Sequence, residues 1–226
     1  MQIIYEDNHL LVVNKSCSEI VQGDKTGDAS LLDTLKLYIK EKYNKPGDVF
    51  LGLVHRLDRP TSGLVIYART SKSLARMNLQ FQQKTLKKKY WAVVDVLPSE
   101  KTGKLTHYLI KNETQNKSYA FDFPKKGSKE ASLSYQYIAS SDKFHLLEIE
   151  LHTGRHHQIR VQLGTIGCKI KGDMKYGYPR SNPDGGIHLH ARYLEFNHPV
   201  KDEILKLVAP VPDDSLWQFF EKIAGK

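Results

Sequence analysis

The densest group of chemically active side chains is the run HRLDRPTSG at residues 55–63. Its Asp58 lies between Arg56 and Arg59, and nearby positive charge favours the ionised form of a carboxylate. The proline and the glycine of the run indicate a tight, fixed backbone around this aspartate. An ionised and oriented carboxylate can serve as a nucleophile or a base. The plain alternative is a turn that carries a surface ion pair.

A second polar cluster, TGRHHQIR, occupies residues 153–160, where a strand with alternating glutamates is followed by a helical pattern. The start of a helix attracts anions, so a phosphate or a carboxylate could bind here. His152, His156 and His157 also suggest a metal site, with the first two at the i, i+4 spacing. A glycine interrupts that spacing and no HExxH pattern is present, so polar or RNA-facing histidines are the favoured interpretation.

Three groups of basic residues stand apart in the sequence. The first consists of Lys84 and Lys87–Lys89, with Tyr90 directly after it, and the others fall at residues 125–129 and 169–175. Lysines can contact phosphates, whereas a solvated helix end is the equally simple explanation of the first group. Together the groups make a continuous basic surface a reasonable expectation.

The whole chain is basic, with 34 Lys and Arg against 25 Asp and Glu in 226 residues, a net charge of +9 and a pI near 9.3. Such an excess favours a polyanionic partner, nucleic acid before an anionic membrane surface, although it can also serve solubility alone. Two cysteines and no CxxC pair argue against a disulfide scaffold and a thiolate zinc site. No signal peptide is visible, and no apolar run is long enough to span a membrane. We therefore expect a cytoplasmic protein that does not bind a membrane.

The elements that must position these clusters follow from periodicity and capping signals. The predicted helices are Leu31–Tyr43 after an N-cap at Ser30, a helix from Thr70 or Ser71 to about Lys84, Arg155–Ile166, and a segment around 216–223. The predicted strands are 9–13, 63–69, 90–96, 105–110, 119–123, 133–137, 147–151 and 187–196. Strands outnumber helices and mostly follow one another directly. This order indicates an α+β fold with a mixed, largely antiparallel sheet.

Four ordered motifs now identify a family. The chain resembles the RluA-type pseudouridine synthases, whose signature HRLDxxTSGL matches residues 55–64. Further matches are KKYWAVV at 88–94, LHTGRHHQIRVQL at 151–163 with GDMKYG at 172–177, and HLHARYLEFNHP at 188–199. The similarity runs from about Ile3 to Pro199, which is most of the chain.

The resemblance implies a fold, an activity and a partner. It implies the pseudouridine synthase fold, a mixed and largely antiparallel central sheet with flanking helices and loops, and RNA bound in a basic cleft. It implies conversion of specific uridines of tRNA or rRNA to pseudouridine without a metal or organic cofactor. We expect residues 1–226 to form a single catalytic domain with no separate N-terminal RNA-binding domain. We also expect a monomer with no obligatory protein partner.

The same resemblance assigns the site residues. It makes Asp58 the essential aspartate, Tyr90 the active-site tyrosine and Arg160 the arginine that holds the aspartate. The aspartate would attack C1′ or C6 of the uridine or act as a base that starts a glycal route, and the sequence leaves this choice open. The substrate-binding candidates are His55, Arg56, Thr61, Lys88, Arg155, Gln158 and Leu189.

Two positions depart from the family pattern: His156 stands where the family usually has threonine, and Gln162 where it usually has histidine. Both changes are expected to alter local RNA contacts.

Two other functions are alternatives to the isomerase. One is a non-catalytic RNA-binding or RNA-chaperone protein that kept the fold. The other is a metal-dependent phosphohydrolase that uses the histidines and Asp173.

Overall fold

The computed structural model describes residues 2–23 and 27–225. Contacts between residues divide the chain into two compact units. The first is Met1–Lys87 with Tyr193–Pro210, and the second is Lys88–Arg192 with Val211–Lys226. The expectation of a single catalytic domain therefore remains a prediction.

The structure contains strands and helices in a mixed order. The strands are β1 (Gln2–Glu6), β2 (Leu10–Lys15), β3 (Gly52–Leu53), β4 (Ser62–Ala68), β5 (Lys87–Val94), β6 (Thr102–Asn112), β7 (Lys117–Phe121), β8 (Lys129–Ser140), β9 (His145–Leu151), β10 (Leu189–Asn197) and β11 (Ile204–Val208). The helices are α1 (Leu31–Lys42), α2 (Ser71–Gln83), α3 (Gln158–Thr165) and α4 (Ser215–Ala224), with a short 3₁₀ turn at Met174–Tyr176.

The first unit is built around two apolar strands. β2 pairs antiparallel with β1 and with β4, β3 pairs with the far end of β4, and β11 pairs with the part of β10 that begins at Tyr193. Alternate residues of β2 and β4 pack together in one core with Met77 of α2. This core fixes both ends of the segment that carries the HRLD motif.

The second unit contains an antiparallel succession of strands in the order β5, β9, β8, β6, β7. One core joins Trp91 and Leu146 to Trp217 and Phe220 of α4. A smaller core joins Leu109 and Ala131 to Val161 of α3, with Ala120 and Tyr176 at its margin. Helix α3 therefore packs over the β6–β8 region through Val161.

The predicted α+β class with a mixed, largely antiparallel sheet is confirmed. Ser30 and Thr70 cap α1 and α2 as expected, each accepting a backbone N–H with its side chain. The predicted start of the third helix at Arg155 is wrong: α3 begins at Gln158, because His157 has a left-handed backbone with φ 53°. The lysine run 87–89 belongs to β5 rather than to a helix end. Within residues 2–23 and 27–225, no helix has the length and apolarity needed to cross a membrane.

Candidate active site

In the first unit, Asp58 lies in the loop between β3 and β4. The Thr61 N–H donates to the Asp58 carbonyl at 3.0 Å and closes a four-residue turn. The next carbonyl, that of Arg59, accepts both the Ser18 N–H and the Lys15 ammonium, each at 3.0 Å. The Arg59 Nε donates back to the Ser18 carbonyl at 3.2 Å. The backbone from Asp58 to Thr61 is therefore held by hydrogen bonds.

Lys15 is the least expected member of this arrangement. Its side chain is 1% exposed at the end of β2, and its ammonium also donates to the Ser16 carbonyl at 2.8 Å. Burial lowers the pKa of Lys15 to about 8, while the negative groups of Glu19, Cys17 and Asp58 partly oppose this shift. A buried ammonium thus lies within electrostatic reach of the Asp58 carboxylate. Lysines are almost always exposed, so no sequence pattern predicts the burial of Lys15 at the end of a strand.

The other candidates of the HRLDRPTSG run have different surroundings. The His55 Nε2 accepts the Ile66 N–H at 3.2 Å, and its ring stacks on Phe81 with centroids 5.1 Å apart. Thr61 is buried and contributes its N–H to the Asp58 turn, whereas the Arg56 side chain is exposed. Of these three candidates, Arg56 is the one that projects toward solvent, and the binding of RNA by all three remains a prediction.

In the second unit, Arg160 forms a buried, two-point ion pair with Asp173. The Nε of Arg160 donates to Oδ2 at 2.7 Å and Nη2 donates to Oδ1 at 2.8 Å. The side chains are only 5% and 1% exposed, so neither charge is solvated by bulk water. Gly172 makes the approach of Asp173 possible, since φ is +86° there and an added Cβ would lie 2.6 Å from Asn182 Nδ2. The pair orients the guanidinium plane.

An aromatic residue and a neutral histidine surround this guanidinium. The Arg160 guanidinium carbon lies 5.2 Å from the centroid of the Tyr176 ring. The Tyr176 hydroxyl lies 2.9 Å from His157 Nδ1 and accepts the Ser118 N–H at 2.9 Å. Burial, followed by the positive charge of Arg160, lowers the pKa of His157 to about 2. His157 is therefore neutral at physiological pH and adds no repulsive charge beside Arg160.

Gln158 folds the loop that precedes α3. Its Oε1 accepts the Thr153 hydroxyl at 2.7 Å and the Arg155 N–H at 3.0 Å, and its Nε2 donates to the Ser132 carbonyl at 3.0 Å. The exposed Arg155 side chain donates from Nε to the Glu130 carbonyl at 2.9 Å. The buried Gln158 amide thus positions this loop, and the binding of substrate by Gln158 remains a prediction.

Three further candidates lie on strands of the second unit or beside its loop. Tyr90 lies on β5 opposite Ile149 and is largely buried, and Leu189 is buried at the start of β10. Lys88 approaches the loop before α3, since a Cβ added at Gly154 would lie 3.8 Å from its Nζ. The unit therefore brings Lys88, Arg155, Gln158 and Arg160 to one loop and helix. The pairing of Arg160 with Asp58 remains a prediction, because the two residues belong to different units.

The two departures from the family pattern have partners inside the second unit. His156 Nδ1 lies 2.9 Å from the Ser118 hydroxyl, and its Nε2 lies 3.1 Å from the Asn116 side-chain oxygen. Gln162 is fully buried, and its Nε2 lies 3.0 Å from His107 Nδ1 and donates to the Ala131 carbonyl at 3.2 Å. The expectation that Gln162 alters RNA contacts is therefore wrong for direct contact, since its side chain is inaccessible.

The residues of the metal-dependent alternative are engaged elsewhere. Asp173 binds Arg160, His157 contacts Tyr176, and the His152 Nε2 lies 2.8 Å from the Ser134 hydroxyl. The part of the chain that the structure describes holds no group of three or more potential ligands that could bind a metal ion. These contacts give the phosphohydrolase alternative no support.

A family model described as RNA pseudouridylate synthase matches residues 9–165. The chain is 34% identical over 218 residues to the uncharacterized RNA pseudouridine synthase YlyB of Bacillus subtilis, with 95% of this chain and 70% of that protein covered. It is 32% identical over 224 residues to ribosomal large subunit pseudouridine synthase D of Zymomonas mobilis, with the same coverage.

Among solved structures, human RNA pseudouridylate synthase domain containing 4 has a TM-score of 0.80 at 24% identity, with 99% of this chain and 93% of that chain covered. That likeness supports the fold. The chain spans about two thirds of the length of the curated relatives it matches. It belongs to the RNA pseudouridine synthase family, a class of isomerases that modify RNA.

We predict that Asp173→Asn strongly destabilises the protein. The carboxamide offers Arg160 one acceptor instead of two and leaves the guanidinium charge buried without a counter-charge, which costs about 3–5 kcal/mol. Urea unfolding at neutral pH measures this loss. Asp202→Asn, which neutralises an exposed carboxylate, is the control and should change stability by less than about 0.5 kcal/mol. Equal stability of the two variants would contradict the role of the buried pair.

The buried ammonium of Lys15 predicts a pH dependence. In the folded protein its pKa is about 8, below the ordinary value of 10.5, so the unfolded chain binds this proton more tightly. The stability of the wild type relative to Lys15→Met should therefore rise with pH between about 8 and 10.5, by about 3 kcal/mol in total. Denaturant unfolding across this range measures it. Lys40→Met, at an exposed position of α1, is the control, and a flat difference for Lys15→Met would refute the burial argument.

Proposed function

We propose that this protein isomerises particular uridines of tRNA or rRNA to pseudouridine without a metal or organic cofactor, with Asp58 as the essential carboxylate. The observation that carries the proposal is the buried Arg160, which lies inside the region that matches the family model and is held by Asp173 beyond that region.

The reaction moves one bond of the nucleoside. The N1–C1′ bond breaks, the uracil turns, a C5–C1′ bond forms, the C5 proton leaves and N1 gains a proton. Asp58 either attacks C1′ or C6 as a nucleophile or removes a proton to start a glycal route. Each route needs an ionised carboxylate in a fixed position. The hydrogen-bonded turn around Asp58 and the ammonium of Lys15 supply that rigidity and a positive neighbour.

Arg160 supplies the counter-charge of Asp58 in this proposal. A guanidinium has five N–H donors, and Asp173 uses two of them. At about 4 Å a second carboxylate gains about 4 kcal/mol at an effective dielectric near 20, before the desolvation cost is subtracted. The pairing with Asp58 rests on the family resemblance, in which the arginine of the QIR motif holds the aspartate.

The target base is expected to leave its stack, because the reacting atoms are inaccessible in a helix. Extrusion costs roughly a few kcal/mol and less in a loop. Tyr90 would stack on the extruded uracil and help to remove the C5 proton, and Leu189 would line the same pocket. Arg56, whose side chain is exposed, would fill the space that the base leaves. His55, Thr61 and Gln158 would bind the substrate beside them, and Lys88 and Arg155 would bind the RNA backbone.

The choice of RNA is the finer part of the proposal. The relative from Zymomonas mobilis is named a large-subunit ribosomal enzyme, which favours rRNA as the target of this chain. A tRNA target is the alternative within the same reaction. The protein is proposed to act on such RNA in the cytoplasm, as a monomer and without an obligatory protein partner.

We predict that RNA from a strain that lacks the gene gains pseudouridine at one or a few sites after incubation with the purified protein. Chemical mapping of pseudouridine at nucleotide resolution reads out the gain, and RNA from the parent strain serves as the control. EDTA should leave the reaction unchanged once the RNA is folded. An absence of new sites despite tight RNA binding would contradict catalysis and favour the non-catalytic RNA-binding alternative.

A further inference from the structure

One segment of the second unit carries much of the positive charge of the chain, mostly on exposed side chains. We call residues 102–129, which comprise β6, β7 and the loop to β8, the basic hairpin. It contains six lysines and two carboxylates, a net charge of +4 out of +9 for the whole protein. The lysines are Lys104, Lys111, Lys117, Lys125, Lys126 and Lys129, and all but Lys117 are exposed. Such a surface attracts a polyanion.

Phe123 projects from the loop of the basic hairpin. It is 77% exposed, more than any other large hydrophobic residue in the described part of the chain. Its sequence neighbours Asp122, Pro124 and Lys125 are exposed as well. Exposing an aromatic ring to water has a free-energy cost, although single apolar residues are common on protein surfaces. The ring is informative here because of the cations beside it.

The lysines next to Phe123 are presented by an ordered turn. The Ser128 N–H and hydroxyl both donate to the Lys125 carbonyl, at 2.9 and 2.7 Å, and the Lys125 N–H donates to the Ser128 hydroxyl at 2.9 Å. Gly127 takes the left-handed conformation that this turn requires, with φ +81°. Lys125 Nζ lies 3.8 Å from the centroid of the Phe121 ring. The cations and Phe123 are thus carried by a short, locally fixed segment.

The basic hairpin is attached to the loop that precedes Arg160. On β7, the Ser118 hydroxyl donates to the His156 carbonyl at 2.7 Å. At the start of β8, the Glu130 carbonyl accepts Arg155 Nε at 2.9 Å. Lys117 Nζ also lies 5.3 Å from the centroid of the Tyr176 ring. An RNA strand on the hairpin would therefore be held by an element that contacts the catalytic motif directly.

We propose that Phe123 is a stacking platform for an unpaired base of the RNA substrate and that Lys125 and Lys126 contact the phosphates beside that base. This inference deepens the proposed function, since it takes RNA as the partner. Single-stranded RNA is bound by aromatic rings that stack on bases and cations that follow the backbone. A protein partner fits less well, because interface cores are depleted of charged residues, lysine among them, and Phe123 stands among charged, exposed neighbours.

Binding of fluorescent oligouridylate to the full chain tests the platform, with a blunt RNA duplex of the same length for comparison. Phe123→Ala should weaken oligouridylate binding about tenfold and leave duplex binding nearly unchanged, because paired bases offer no free face. Phe219→Ala on α4 is the matched control, since Phe219 is also an exposed phenylalanine, at 42%. Equal binding of oligouridylate by wild type, Phe123→Ala and Phe219→Ala would overturn the proposal.

Two further variants separate stacking from a loss of folding. Phe123→Trp should restore the affinity, and its fluorescence should be quenched when oligouridylate binds, against the background of the buried Trp91 and Trp217. Lys125→Gln with Lys126→Gln should reduce the slope of log affinity against log salt by about 1.4, as expected for two lost phosphate contacts to a single strand. Lys222→Gln, an exposed lysine of α4, is the control for charge.

The outcomes distinguish this inference from the proposed function. The binding measurements need no turnover. Even if the protein forms no pseudouridine, weaker oligouridylate binding by Phe123→Ala than by Phe219→Ala would support the stacking inference. If the protein forms pseudouridine but the fluorescence of Phe123→Trp does not change when RNA binds, the stacking inference is wrong and the proposed function stands. A Phe123→Ala variant that binds oligouridylate normally but changes its sedimentation would assign the ring to a protein interface and overturn the proposal.

Discussion

The proposed role of Arg160 in catalysis depends on one constraint, the buried ion pair between Arg160 and Asp173. A guanidinium with so little exposure is tolerated only with a counter-charge and good hydrogen-bond geometry, and Asp173 provides both through two donors. Two left-handed residues flank the pair in sequence, His157 before α3 and Gly172 before Asp173, and His157 stays neutral beside Arg160. The TGRHHQIR and GDMKYG motifs are therefore two halves of one electrostatic arrangement.

In the first unit, too, hydrogen bonds hold a charged group in place. The Asp58 turn is closed by Thr61 and held by the ammonium of Lys15, whose own charge is disfavoured by burial. In both units a charged side chain lies in a position that the surrounding hydrogen bonds determine. Such order removes the entropy cost of positioning the groups at the moment of reaction, which is a main source of catalytic rate. The basic hairpin, attached through Ser118 and through Glu130 directly after it, would add a surface for RNA in the proposed function.

Sequence patterns predicted the elements whose signal is periodic. Alternation identified β8 and β9, and capping side chains identified the starts of α1 and α2. The two-residue β3 is too short to show a sequence pattern. The left-handed backbone of His157 has no signal in the sequence, so the periodicity predicts a start of α3 that is too early. Burial of Lys15 and Gln162 was also invisible, because it depends on partners distant in sequence. For Asp173 the sequence predicts a place in the GDMKYG motif and a role in the metal-dependent alternative, but not its pairing with Arg160.

The most direct test of the central claim follows the proton that the isomerisation must release. RNA that carries tritium at C5 of uracil loses the label to water when the C5–C1′ bond forms. The account predicts release by the wild-type protein and none by Asp58→Asn, while both bind the RNA with similar affinity. Release by Asp58→Asn at the wild-type rate would show that the carboxylate is not required and would contradict the account.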